Sequence, residues 1–320
     1  MKIVLPPQMN LINENRMIVT ESQGVKHLLK IAVPYLLFSC IYAGIILGIE
    51  EFAGDQIYQI PTQIGSVFGL AIAFFLGFRM NSAYDRWWEA RKIFGELTNN
   101  TRSFVTKIYV YYGNENNVTN SSDGPTGQKA SDLISLTIEY VRQLKREMHN
   151  QKEPSFEEET VAFFSKYGIN LKNKVSNELL VAITQIIEGD FSPKAGLEKN
   201  DLMQHMNRFY EIQGKAERIK NTPFLMIYSA FTRIIVTVYI LLIPLFIGDI
   251  DLGGEKSNLE LLAIPIMVII STVFLTVNKL ANLFGEPFSE SATSVSIDQI
   301  CQTIENNCLE IKQKTIGLNS

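Results

Sequence analysis

Two adjacent stripes at four-residue spacing stand out between residues 61 and 78, and neither is built for covalent chemistry. Gly65, Gly69, Ala73 and Gly77 form the small-xxx-small face that lets membrane helices approach closely. Leu70, Phe74 and Phe78 form a bulky apolar stripe on the turn beside it. If the small face packs against neighbouring copies, the bulky stripe points to a shared axis. A ring of such side chains makes an apolar constriction about 12 Å long, at a rise of ~1.5 Å per residue. Constrictions of this kind gate ions by dewetting instead of by binding them. One helix cannot line an opening, so the arrangement implies an oligomer of cyclic symmetry. The competing reading is a stripe of ordinary core or lipid contact.

Catalytic patterns are missing. The sequence has no Gly-rich phosphate loop, nucleophile elbow, His-Glu-x-x-His or Cys-x-x-Cys. His27, His149 and His205 lie far apart among polar neighbours and read as solvated helix residues, not as metal ligands. Glu157, Glu158 and Glu159 follow Pro154 and Ser155, which suits negative charge in the first turn of a helix. Cys40, Cys301 and Cys308 are too few and too scattered for a disulfide framework, so reduced thiols are expected. A net charge of −4 leaves no surplus of bases for a nucleic-acid partner. The chain therefore reads as a non-enzyme with no cofactor and no metal.

The elements that must position the stripes are membrane helices. Across 320 residues, 46% hydrophobic and 19% charged, the mean hydropathy of +0.08 averages two populations. Residues 31–49 and 61–78 are free of charge, 222–248 hold only Arg233, and 261–278 are closed by Lys279. Each run approaches the ~20 residues that cross a ~30 Å hydrocarbon core. No cleavable signal precedes the first. Four spans in two hairpins are thus expected, embedded in a lipid bilayer. Glu50, Glu51 and Asp55 crowd the first connector and Asp249, Asp251, Glu255 and Glu260 the last, against Lys256 alone. Bases gather at the opposite ends, including Lys26, Lys30, Arg79, Arg86, Arg218 and Lys279. The positive-inside rule then places both termini and the chain's middle in the cytoplasm of a cell inner (plasma) membrane. Arg233 is the one base within a span, and either snorkelling or a partner such as Asp85 would accommodate it.

Between the hairpins, residues 131–150, 156–167, 173–188 and 197–219 carry apolar residues at helical spacing, while 113–127 read as a solvated loop. The fold class expected is all-α.

The second span runs into Asn81-Ser-Ala-Tyr-Asp-Arg-Trp-Trp-Glu-Ala-Arg-Lys, where Trp87 and Trp88 suit a membrane boundary and Asp85, Arg86, Glu89 and Arg91 could form ion pairs on the helix face. The stretch from Gly77-Phe78-Arg79 through Arg86-Trp87-Trp88 to Lys92 strongly resembles the bestrophin family of ion channels, in particular its bacterial branch. Glu217-Arg218-Ile219 followed by Asn221-Thr222-Pro223 and Tyr228 is similar to the family's approach to its third span. Asn282-Leu283-Phe284-Gly285-Glu286 sits where the family has Asn-Pro-Phe-Gly-Glu. The resemblance covers about residues 25–300.

It implies a homopentamer in which four transmembrane helices in two hairpins join a helical cytosolic body. Its segments would be a cytosolic N-terminus at 1–26, a hairpin at 27–80, the cytosolic region at 81–221, a second hairpin at 222–280 and a cytosolic C-terminus at 281–320. Leu70, Phe74 and Phe78 would be the hydrophobic pore neck and Leu197 the cytosolic aperture. Small monovalent ions would be the permeant partners, with chloride the family default and cations such as sodium an option that the acidic connectors favour. Eukaryotic members follow Phe-Gly-Glu with aspartates that complete a calcium clasp. Here Pro287, Phe288, Ser289 and Glu290 follow, too few oxygens for calcium, so no calcium activation is expected there. Two other functions compete. A non-conducting membrane-anchored scaffold or sensor would ask only hydrophobicity of residues 70, 74 and 78. An intramembrane enzyme would need polar pairs in spans that lack His, Asp and Glu.

Overall fold

The first, second and fourth apolar runs continue into longer helices because nothing breaks helix geometry at those membrane boundaries, whereas the third, at 222–248, follows Pro223 and is helical only from Met226. The computed structural model describes residues 21–53, 60–112, 126–151, 156–190, 196–247 and 260–317. In chain order these form α1 (Glu21–Ala53), α2 (Thr62–Tyr112), α3 (Thr126–Met148), α4 (Glu158–Lys166), α5 (Val175–Asp190), α6 (Gly196–Asn221), α7 (Met226–Ile247), α8 (Glu260–Gly285) and α9 (Ile297–Gly317). Among the described residues there is no strand. The acidic connector residues Asp55, Asp249, Asp251 and Glu255, with Lys256, lie outside the described residues, as do the loop at 113–125 and residues 1–20.

Contacts divide the chain into two units, 1–88 with 223–294, and 89–222 with 295–320. The first contains the four apolar helices, each with a stretch long and apolar enough to cross a membrane. Pro34, Pro244 and Pro265 sit inside three of them. Membrane helices tolerate proline where neighbouring groups satisfy the freed carbonyls. Its apolar core joins Ala43, Ile72, Leu76, Val236, Ile240 and Met267. α8 packs on both α1 and α7, so the first span's partner is the last and not simply its hairpin neighbour. Tyr42 of α1 donates to the Leu241 carbonyl at 2.9 Å.

The second unit holds the remainder of α2 together with α3, α4, α5, α6 and α9. α3 is its hub, packing on α5, α6 and α9. Phe104, Tyr140 and Phe209 stack edge to face in its core. Ion pairs Lys107–Asp201 at 2.5 Å, Lys215–Glu96 at 2.9 Å and Arg218–Glu89 at 2.6 Å tie α2 to α6. Glu89 thus pairs with α6 and not with a neighbour on its own helix. Glu158 and Glu159 do occupy the first turn of α4, where carboxylates favour the helix dipole.

Two expectations about histidine need correction. His205 is buried and its Nδ1 lies 2.7 Å from Asn100 Oδ1, while Asn100 Nδ2 donates to the His205 carbonyl at 3.0 Å. The His149 side chain is also buried, 3.8 Å from Asp298. His205 on α6 and His149 just past the end of α3 both meet polar residues of other helices, contacts that sequence neighbours do not reveal. α9 is a further element, and it buries Cys301 and Cys308 against the rest of the unit. Burial pushes both thiols up to about 12.

Candidate functional site

The first seven turns of α2 present two opposite faces. On one, Gly65, Ile72, Leu76, Arg79 and Ala83 are buried, and with half-buried Gly69 they recur every three or four residues. The packed face rests largely on α7. Ile60 N–H donates to the Leu245 carbonyl and Thr62 Oγ1 to the Phe246 carbonyl. Tyr228 Oη donates to the Phe75 carbonyl at 2.9 Å. A Cβ added at Gly65 would lie 2.5 Å from the Phe246 ring, and one at Gly69 2.5 Å from the Tyr239 hydroxyl. The small stripe is therefore divided between two environments. Its first two glycines admit aromatic side chains of the same chain, whereas a Cβ at Gly77 would meet open space.

On the other face the side chains are bare. Leu70 is 74% exposed, Phe74 63% and Phe78 53%, so they are not core. The two rings meet edge to face with centroids 4.3 Å apart, a favoured quadrupole arrangement. At 3.6 residues per turn the same stripe runs from Gln63 through Val67, Leu70, Phe74 and Phe78 to Asn81 and Asp85, all exposed. It is polar at both ends and apolar in the middle.

Arg79 lies behind the stripe and is wholly buried. Its Nη1 donates to Thr232 Oγ1 at 2.8 Å and to Asn278 Oδ1, and its Nη2 donates to Asn282 Oδ1. Three neutral oxygens from α7 and α8 thus hold one cation. Arg233, by contrast, is exposed and forms no ion pair with a described residue, Asp85 included. Sequence reasoning missed the role of Arg79 because its ligands Thr232, Asn278 and Asn282 are scattered over two other helices. The signal available was a base at the end of an uncharged span.

Of the motif residues, Trp87 packs its ring edge against Phe284 at 6.1 Å and stacks with Tyr84 and Trp88, each at 6.2 Å. Arg86 is half-buried beside them. Phe284 follows Asn282, so two of the motifs expected to matter meet in one unit. Glu286 lies exposed after them.

In the other unit Leu197 opens α6 and is 85% exposed. The exposed stripe below it continues through Asn200, Gln204, Arg208 and Glu211. Leu197 is thus the one large aliphatic on a polar face.

Residues 16–310 match the profile of the family described as Bacterial/Fungal Bestrophin protein, and the chain belongs to that family. It is 26% identical over 284 residues to a voltage-dependent anion channel-forming protein of Mesorhizobium japonicum, covering 87% of this chain and 84% of that one. A protein of the same description from Synechocystis is 23% identical over 262 residues, covering 80% and 79%. Among solved structures, a bacterial bestrophin homolog from Klebsiella pneumoniae superposes with a TM-score of 0.69 at 22% identity, covering 89% of this chain and 98% of that one.

Proposed function

We propose that this member of the bestrophin family is a homopentameric channel that passes small anions down their gradient, with chloride the first candidate. The observation that carries the reading is the bare stripe of α2. The stripe is polar at both ends, apolar in the middle and exposed along its whole length. A face lining a water-filled path that narrows to a dry neck needs that order. Five copies of Leu70, Phe74 and Phe78 would form the neck, about 12 Å long. Leu197, alone among polar neighbours on its stripe, would form the second narrowing, in a cytosolic region made of the second unit. The names of the relatives in Mesorhizobium and Synechocystis support the choice of anions over cations.

The positive flanks of the spans support an inner-membrane orientation with both termini in the cytoplasm. An apolar neck by itself has no preference for either sign of charge. Purified protein in liposomes under asymmetric NaCl tests the proposal. A reversal potential near the chloride equilibrium potential supports it. One near the sodium equilibrium potential overturns the anion reading, and absence of flux overturns the channel.

A further inference from the structure

The spans carry positive charge and nothing to cancel it. No Asp or Glu occurs in residues 22–49, 62–84, 222–247 or 261–285, whereas Arg79 and Arg233 lie within or at the edge of these segments. Buried charges in proteins are normally paired, because a lone ion in a low-dielectric interior is expensive. Arg79 departs from that rule. Thr232, Asn278 and Asn282 accept from its two Nη atoms but are neutral, and its buried Nε meets no acceptor among the described residues. A charge of the same sign, Arg233, bears on it and repels it. An arginine keeps its proton under these conditions, so the site holds a fixed positive charge. If the guanidinium served only to bind α2 to α7 and α8, an Asp in place of Asn278 or Asn282 would do so with charge balance.

The position gives the charge a use. Arg79 follows Phe78 directly and occupies the opposite face of the same helix, about one helix diameter, ~10 Å, from whatever the stripe faces. At that distance, and at an effective dielectric constant of about 20, one unit charge biases the occupancy of an ion by roughly tenfold. The stripe itself carries no charge between Gln63 and Asn81. We propose that Arg79 sets the charge preference of the neck: held behind its Phe78 end, it favours anions over cations without touching the ion. The inference rests on the reading of Leu70, Phe74 and Phe78 as the lining of a conduction path.

Reversal potentials in asymmetric NaCl test it on four assembled proteins. The wild type and Arg79→Lys, which keeps the charge, should share a high chloride-to-sodium permeability ratio. Arg79→Gln should lower the ratio at least about fivefold. Asn278→Asp retains Arg79 in place and adds a carboxylate to its hydrogen-bonded shell, so it should lower the ratio comparably. If Arg79→Gln fails to assemble, Asn278→Asp decides. Two conducting variants with the wild-type ratio, or a sodium-selective wild type, would overturn the inference. A wild type that passes no ion overturns instead the channel reading beneath it.

Discussion

Leu76 and Phe74 lie two residues apart on α2 and are both apolar, yet the first is 2% exposed and the second 63%. The difference separates two tasks within one helix. The face of Leu76 meets Val236, Ile240 and Met267 and belongs to the apolar core of its unit. The face of Phe74 packs edge to face on Phe78 of its own stripe and is otherwise left largely open to water, lipid or another copy. Hydrophobicity serves folding on one side and, in a channel, a dry constriction on the other. Substitutions on the two faces should therefore separate stability from conduction.

The largest effect should come from filling the packed face. Gly65→Leu forces a side chain into the Phe246 ring, and overpacking of this kind costs about 1–3 kcal/mol or more. The unfolding midpoint in detergent should fall sharply, whereas Gly77→Ala, with open space at its Cβ, should leave it in place. An unchanged midpoint in Gly65→Leu would break the contrast. Next is Leu76→Ala, expected to cost about 2 kcal/mol. That is the low end of the usual range, because lipid is as apolar as leucine and only packing is lost. Phe74→Ala should cost less than about 0.5 kcal/mol in the same assay, as surface substitutions do, and yet should raise ion flux. Equal stability losses would erase the distinction between the faces.

A smaller effect is expected from Asp85→Asn. Asp85 is the one acid on the bare stripe, two turns beyond Phe78, and opposes the sign of Arg79. Removing it should raise the chloride-to-sodium permeability ratio about twofold, less than the Arg79 effect because Asp85 is exposed to screening. An unchanged ratio would place Asp85 off the ion path. The smallest effect lies in the other unit. Cys301 and Cys308, with thiols pushed up to about 12, hold almost no thiolate at pH 8. They should resist maleimide in the folded protein and react on unfolding. Fast labelling of the native protein would show that α9 does not stay docked.

The legible features of this fold are those written in consecutive residues. Uncharged runs disclose the four spans, and four-residue spacing discloses Leu70, Phe74 and Phe78 as one stripe. Partners across helices are not written that way. Gly65 and Gly69 announce close approach, but whether to Phe246 and Tyr239 or to another copy depends on which face α7 takes. α1 pairs with α8 through residues far apart in the chain, including Ser39, buried and 3.4 Å from Thr272. His205 reads as solvated among Gln204, Asn207 and Arg208, since its partner Asn100 belongs to another helix. The Arg79 shell was hidden for the same reason. Its three ligands carry no charge, so no pattern of opposite signs marks them.

Chloride efflux from proteoliposomes containing the wild type or Leu70→Ala/Phe74→Ala/Phe78→Ala, matched for folded protein, tests the central claim most directly. If the bare stripe is the dry neck of a conduction path, the wild type releases chloride slowly and the triple variant several-fold faster. Equal rates in the two proteins, or no release from either, would contradict it.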